Sequence, residues 1–222
     1  MQVDNNKRVL QLSVLEFVAA ISIFILSIIL FSVIAEEIVL DKNDQFDIYV
    51  YQLISSYKTS WTTGAALFIT NFGSGYFLIP AYLIILFICV KRGRKQQAIV
   101  VASVALISLI SGLFLKHIFQ RARPSLPLIT GTPGYSFPSG HSIGGFTFSG
   151  ILIYLIWKSN LKRNLKWAWT IFLIFFSCLI GLSRIYLHVH YASDVLGSFF
   201  LTLIWLAVTF YVAETLERRT IN

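Results

Sequence analysis

The segment AIVVASVALISLISGLFLKHIFQRARP, residues 98–124, decides the fold. Its first eighteen residues carry no charge, and a helix of about 20 apolar residues crosses the hydrocarbon of a bilayer. At Lys116 the character changes, and a K-x6-RP pattern (Lys116, Arg123, Pro124) closes the segment. Working outward, apolar runs recur at 17–35, 73–90, 138–157, 167–182 and Ala192–Ala213, which makes six spans with 98–115. The chain therefore reads as an all-α polytopic membrane protein. Its balance agrees: 56% of the 222 residues are hydrophobic and 13% are charged, where a soluble domain carries roughly 25% charged residues.

Residues 61–90 are too long for one crossing, and Gly73-Ser74-Gly75 interrupts them. That break predicts a tilted or interfacial helix over 59–72 feeding a span that starts near the glycines. Residues 46–56 mix aromatic with polar side chains and are expected along the membrane interface. Lys7-Arg8 ahead of the run at 17–35 has the layout of a signal peptide. The run exceeds the usual length of about 7–15 residues, so an uncleaved first span is expected. No repeat, low-complexity tract or linker divides residues 1–222, and one integral-membrane domain is expected. Cys89 and Cys178 lie within apolar runs and read as small core residues rather than a disulfide or metal pair.

The net charge of +8 does not point to nucleic acid, because the basic residues form short clusters beside apolar runs. Lys7, Arg8, Lys91, Arg92, Arg94, Lys95, Lys158, Lys162, Arg163, Lys166, Arg218 and Arg219 fall on one side, twelve of the eighteen lysines and arginines. By the positive-inside rule that side is cytoplasmic, with both termini there. The other side holds Lys42, Lys58, Lys116, Arg121, Arg123 and Arg184. Cations kept against that preference need a counter-ion, and a bound anion is the natural one. A site at the extracytoplasmic ends of the last four spans is expected.

Three motifs make up that site. Lys116, Arg123 and Arg184 offer three positive charges to one ligand. Guanidinium forks match phosphate oxygens, and lysine adds a point charge. Pro138-Ser139-Gly140-His141 opens the fourth span. A proline in the first turn followed by Ser and Gly suits a helix N-terminus that binds anions, although Ser139 taken alone is an ordinary N-cap residue. His141 stands in the same turn with no structural duty visible. In the third motif, S-R-x5-H-x3-D (Ser183, Arg184, His190, Asp194), His190 and Asp194 are four apart and share one face at the start of the sixth span. A carboxylate there can accept the imidazole Nδ1–H and leave Nε2 free, the orienting logic of a nucleophile or base. Asp194 is the only acid between Asp47 and Glu214, so several carboxylates for a magnesium site are not expected near the motifs. No cofactor and no metal are expected. His117 and His188 read as interfacial polar residues, and Arg121 as a residue that either helps hold substrate or lines the rim. Residues 125–137, with Pro127, Gly131, Pro133 and Gly134, hold too many breakers for a helix and are expected to form a loop over the site.

The set K-x6-RP, PSGH and S-R-x5-H-x3-D, in this order on a six-span chain, resembles the type 2 phosphatidic acid phosphatase superfamily, the metal-independent membrane lipid phosphatases. The resemblance covers about residues 46–213. It implies a phosphohistidine mechanism: His190 attacks phosphorus, Asp194 orients it, and His141 protonates the leaving alkoxide. It also implies that Lys116, Arg123, Ser139, Gly140 and Arg184 hold the phosphoryl oxygens. Within the family the chain resembles bacterial phosphatidylglycerophosphate phosphatases most, with undecaprenyl diphosphate and phosphatidic acid as the other substrates considered. The expected partners are a membrane lipid phosphate and the bilayer, with no nucleic acid and no obligatory protein partner. Two rival readings remain: an anion transporter, against which the charges cluster at one membrane face, and a serine lipase using Ser139, for which G-x-S-x-G is absent.

Overall fold

The runs at 98–115, 167–182 and Ala192–Ala213 each fall inside one long helix, while those at 73–90 and 138–157 begin two residues ahead of theirs and that at 17–35 crosses from a helix into a π-helical stretch. The structure is a computed structural model describing residues 2–130 and 133–221, with side chains outside 2–16, Glu37, Glu214 and 216–221. Gly131 and the side chains of Lys7, Arg8, Arg218 and Arg219 lie outside the described residues. The described residues form α-helices and no strand: α1 (Gln2–Val33), α2 (Gln45–Ser55), α3 (Ser60–Thr70), α4 (Gly75–Lys91), α5 (Lys95–Phe119), α6 (Gly140–Trp157), α7 (Arg163–Tyr186) and α8 (Ala192–Ile221). A π-helical stretch, Ile34–Leu40, extends α1, and a 3₁₀ turn, Asn71–Gly73, joins α3 to α4. Among the described residues, five helices are long and apolar enough to cross a membrane, and a sixth crossing results if α3 and α4, bent by 43° at the glycines, form one span.

Where the spans end is set by local chemistry. α5 stops because Gln120 adopts a left-handed conformation at φ 45° and donates its N–H to the Lys116 carbonyl, a common helix terminator. α6 starts after Ser139, whose hydroxyl accepts the Ser142 N–H. Pro138 thus precedes the helix rather than occupying its first turn as expected. Connections of five residues, 158–162 and 187–191, make α6, α7 and α8 antiparallel neighbours. The end of α5, the start of α6, the end of α7 and the start of α8 therefore meet at one end of the bundle. At the other end Trp157 and Trp167 meet edge to face, and Lys166 donates to the Trp157 carbonyl (2.9 Å). Aromatic and basic residues in that arrangement are typical of a membrane interface.

Between these ends Val101, Val104 and Ile151 are fully buried. Small residues allow the close approach that helices need in lipid, where no hydrophobic force drives them together. At Gly150, for example, a Cβ would come within 2.5 Å of Leu206 Cδ1. Leu83, Phe87, Ile110 and Phe175 point outward, as lipid-facing side chains do.

Two expectations change. The segment at 46–56 is the helix α2, but it is seated on the bundle rather than simply lying at the surface, because its Asp47 is buried against the start of α8. The loop over 125–137 contains no helix among its described residues, yet it does more than cover the site. Ser136 and Phe137 are fully buried, and Phe137 packs so closely on Gly197 that a Cβ there would lie 2.5 Å from the ring. The loop's outer part is held by Leu128, which donates to the Leu187 carbonyl (2.9 Å).

Candidate active site

His190 lies in the turn between α7 and α8, not on α8 itself, because the helix starts at Ala192. It still meets Asp194, since the carboxylate folds back: Oδ2 accepts the Tyr191 N–H (2.9 Å) and lies 3.2 Å from His190 Nδ1. Ser136 Oγ donates to the same oxygen in a short contact. His190 Nδ1–H facing Asp194 leaves Nε2 as the acceptor, 3.2 Å from Arg123 Nη1. Burial lowers the His190 pKa to about 4. Asp194 opposes that shift, while the charges of Arg123 and Lys116 reinforce it. The ring is thus neutral at neutral pH, with a lone pair on Nε2.

Arg123 meets this lone pair directly, Lys116 acts on the ring through its charge, and Arg184 reaches the same site beside His141. Arg123 is braced by carbonyls, donating to Val189 (2.8 Å), Gly134 (3.0 Å) and Pro133 (3.2 Å). Lys116 donates to the carbonyls of Tyr135 (2.6 Å) and Ser136 (3.3 Å). Arg184 donates from Nη1 to Thr70 Oγ1 (2.7 Å), and its Nε is buried without a partner among the described residues. Lys116, Arg123, Arg184 and His190 all lie within electrostatic reach of His141. The three sequence motifs converge on one place.

Two members of the PSGH motif differ in what they present. Gly140 is exposed with open space above its Cα, so an oxyanion can approach the amides that open α6. Ser139 is fully buried, and its hydroxyl accepts from Ser142 Oγ (2.9 Å). Its N–H donates to the Asp194 carbonyl (3.3 Å), and its own carbonyl accepts from Ser198 (3.1 Å). In this structure Ser139 caps its helix and ties α6 to α8.

Residues beyond the motifs complete the site. Thr70 holds Arg184. Gly73, read from sequence only as a helix break, lies against His141: a Cβ there would stand 2.8 Å from the His141 carbonyl oxygen. Arg121 is buried rather than lining an open rim, and its guanidinium is engaged by carboxylates. Its side chain is 8% exposed and bridges Asp194 Oδ1 (2.8 Å), Asp47 Oδ2 (2.7 Å) and Asp44 Oδ1 (3.2 Å). Burial disfavours its charge, but Asp194 and Asp47 outweigh that and raise its pKa above the ordinary value. The expectation of a single acid near the motifs is therefore corrected, since folding brings Asp47 and Asp44 close. They meet Arg121 instead of forming a cage with Asp194, and no cluster of three or more metal-ligating side chains occurs among the described residues. His188 is a strut, stacked on Tyr51 at 3.6 Å between centroids, and His117 meets the Tyr135 ring edge-on.

A family model for the PAP2 superfamily matches residues 96–218. The chain belongs to the PAP2 superfamily. Phosphatidylglycerophosphatase B of Bacillus subtilis is 28% identical over 149 residues, 66% of this chain and 73% of that protein. Undecaprenyl-diphosphatase of Sulfolobus acidocaldarius is 27% identical over 167 residues, 72% and 75% of the two chains. Among solved structures, the transmembrane PAP2 type phosphatidylglycerolphosphate phosphatase from Bacillus subtilis superposes with a TM-score of 0.73 at 24% identity. That match covers 90% of this chain and 96% of the other. LpxE of Aquifex aeolicus gives 0.60 at 25% identity, covering 74% and 94%. This PAP2 chain is a multi-pass membrane lipid phosphatase, a hydrolase acting on lipid phosphates. All three motifs lie within the PAP2 match, whereas Asp47, Thr70 and Gly73 lie before it.

Proposed function

We propose that the chain hydrolyses the phosphomonoester of phosphatidylglycerophosphate to give phosphatidylglycerol, through a phosphohistidine on His190. One observation carries the mechanism: His190 is buried with Nδ1 on Asp194 and Nε2 beside Arg123. That geometry directs a neutral nitrogen lone pair toward the cations that would hold a phosphoryl group. Nε2 attacks phosphorus while Lys116, Arg123, Arg184 and the amides opening α6 at Gly140 take up the charge on the equatorial oxygens. Asp194 stabilises the imidazolium that forms. His141 donates a proton to the departing alkoxide. Water then attacks the phosphohistidine, with His141 as the base. Three cations and the helix amides supply the charge that a metal supplies in other phosphatases, so the reaction is proposed to be metal-independent. Ser139 acts through the helix start that it caps.

The substrate reading rests on the likeness to the Bacillus subtilis phosphatidylglycerophosphatase. A second reading, an isoprenyl diphosphate, is favoured by the Sulfolobus acidocaldarius undecaprenyl-diphosphatase, which matches over a longer stretch. The site is proposed to face the extracytoplasmic side with both termini cytoplasmic, because the basic and tryptophan-rich ends of α6 and α7 lie at the opposite end of the bundle. The test is phosphate release by purified protein from phosphatidylglycerophosphate, undecaprenyl diphosphate and phosphatidic acid, side by side in excess chelator. The fastest turnover is expected on phosphatidylglycerophosphate, and His190→Ala should abolish a trapped acid-labile phosphoenzyme. Strict dependence on added magnesium would overturn the mechanism, and faster undecaprenyl diphosphate turnover would overturn the substrate.

A further inference from the structure

We infer that Arg121, held in place by Asp47 of α2, is a positioning residue that sets the orientation and proton affinity of the His190–Asp194 pair. Each Asp194 oxygen has a separate duty. Oδ2 serves His190, Ser136 and the Tyr191 N–H, and Oδ1 is taken by Arg121 at 2.8 Å. Arg121 in turn is fixed from the far side. Asp47, fully buried, accepts from Arg121 Nη2 (2.7 Å), from Ser193 Oγ (2.6 Å) and from the Ser193 N–H (2.8 Å). Arg121 Nη1 also donates to Ser193 Oγ (2.7 Å), and the guanidinium stacks on the Tyr191 ring at 4.0 Å. The inference rests on the mechanism proposed above, in which neutral His190 is the nucleophile.

The physical consequence is a ranked pull on one carboxylate. A cation on Oδ1 makes Asp194 a weaker acceptor toward the imidazole and so favours neutral His190 over imidazolium. It also fixes the carboxylate plane, and with it the direction of the His190 lone pair. Because the anchor is Asp47, the seating of α2 on α8 is part of the same arrangement. The other titratable or charged groups facing the pair are Lys116 of α5, Arg123 and Tyr191 of the loops, His141 of α6, Arg184 of α7 and Asp44 ahead of α2. Among the described residues, none of these lysine or arginine side chains bonds the Asp194 carboxylate, whereas Arg121 does.

The test uses the full chain in detergent micelles. With ¹⁵N-labelled histidine, only four residues report, and His190 is assigned by the loss of its signal in His190→Gln. Arg121→Gln should raise the His190 pKa by about one unit and lower kcat by at least tenfold with KM changed less than threefold. Arg121→Lys should hold the pKa near the wild-type value, because the charge remains, while still lowering kcat, because one ammonium cannot fork between Asp47 and Asp194. Asp47→Asn combined with Arg121→Gln should fold better than Arg121→Gln alone, since it removes the acid left unpaired and buried. An unchanged His190 titration in folded Arg121→Gln, with kcat lost only in proportion to unfolded protein, would overturn the inference. The titration is read without turnover, so a wild type that releases no phosphate refutes the proposed reaction and leaves the electrostatic half of the inference to stand or fall on the titration.

Discussion

Gly73→Ala should damage the site through a single methyl group. Gly73 is outside the left-handed region, so the substitution adds no backbone strain and its effect is a matter of space. The new Cβ would stand 2.8 Å from the His141 carbonyl oxygen, 2.8 Å from Ile180 Cγ2 and 3.1 Å from His141 Cβ. Ile180 can turn its methyl aside, but the carbonyl belongs to the backbone of α6. Ordinary contact begins at 3.4 Å, so the elbow between α3 and α4 must retreat from α6 by more than half an ångström or push His141 out of place. Overpacking of this kind costs about 1–3 kcal/mol, and a misplacement of about 1 Å near reacting atoms costs roughly a hundredfold in rate. A tenfold or greater loss of kcat with a measurable drop in melting temperature is therefore expected. Gly75→Ala is the control, because its nearest neighbour is the flexible Ile79 Cδ1 at 3.8 Å. The assay is the initial rate of phosphate release from a lipid phosphate in detergent, with thermal unfolding of both variants. Equal behaviour of Gly73→Ala and Gly75→Ala would refute the claim that the elbow supports His141.

The remaining predictions concern roles, pH and sidedness. His141→Ala should lose more rate on a lipid alkyl phosphate than on an aryl phosphate, whose leaving group needs no proton; equal losses on both would remove His141 from the general-acid role. The His190 pKa falls from 6.5 to about 4 on folding, so the fold favours the neutral ring. That contribution is complete above pH 6.5 and is lost as pH falls through 4. Wild-type protein should accordingly lose thermal stability relative to His190→Gln across that window, and parallel melting curves would contradict the burial argument. In a background lacking Cys89 and Cys178, Leu126→Cys should react with a membrane-impermeant thiol reagent in intact cells, and Lys162→Cys only after lysis. The reverse order would overturn the proposed sidedness.

Much of this molecule was legible before folding was considered. The helices were readable because a bilayer demands long uncharged runs, and Gly73-Ser74-Gly75 marked the bend between α3 and α4 for the same reason. The grouping of Lys116, Arg123, Arg184, His141, His190 and Asp194 was readable because charges at span ends are costly unless they share a ligand. His190 and Asp194 lie four apart, so even their pairing fell within the reach of local spacing. What local spacing cannot express is which distant group meets a buried charge. Asp47 reaches Arg121 across seventy-four residues, Thr70 reaches Arg184 across 114, and Gly73 meets His141 because α3 and α4 bend onto α6. The hydroxyl of Ser139 could equally cap a helix or face a ligand, and only the packing of α6 against α8 turned it inward. Hydropathy and turn chemistry act within a few residues of the chain and so leave their record in it. The pairing of a buried carboxylate with its cation depends on helix packing in three dimensions, and only the tertiary structure decides it.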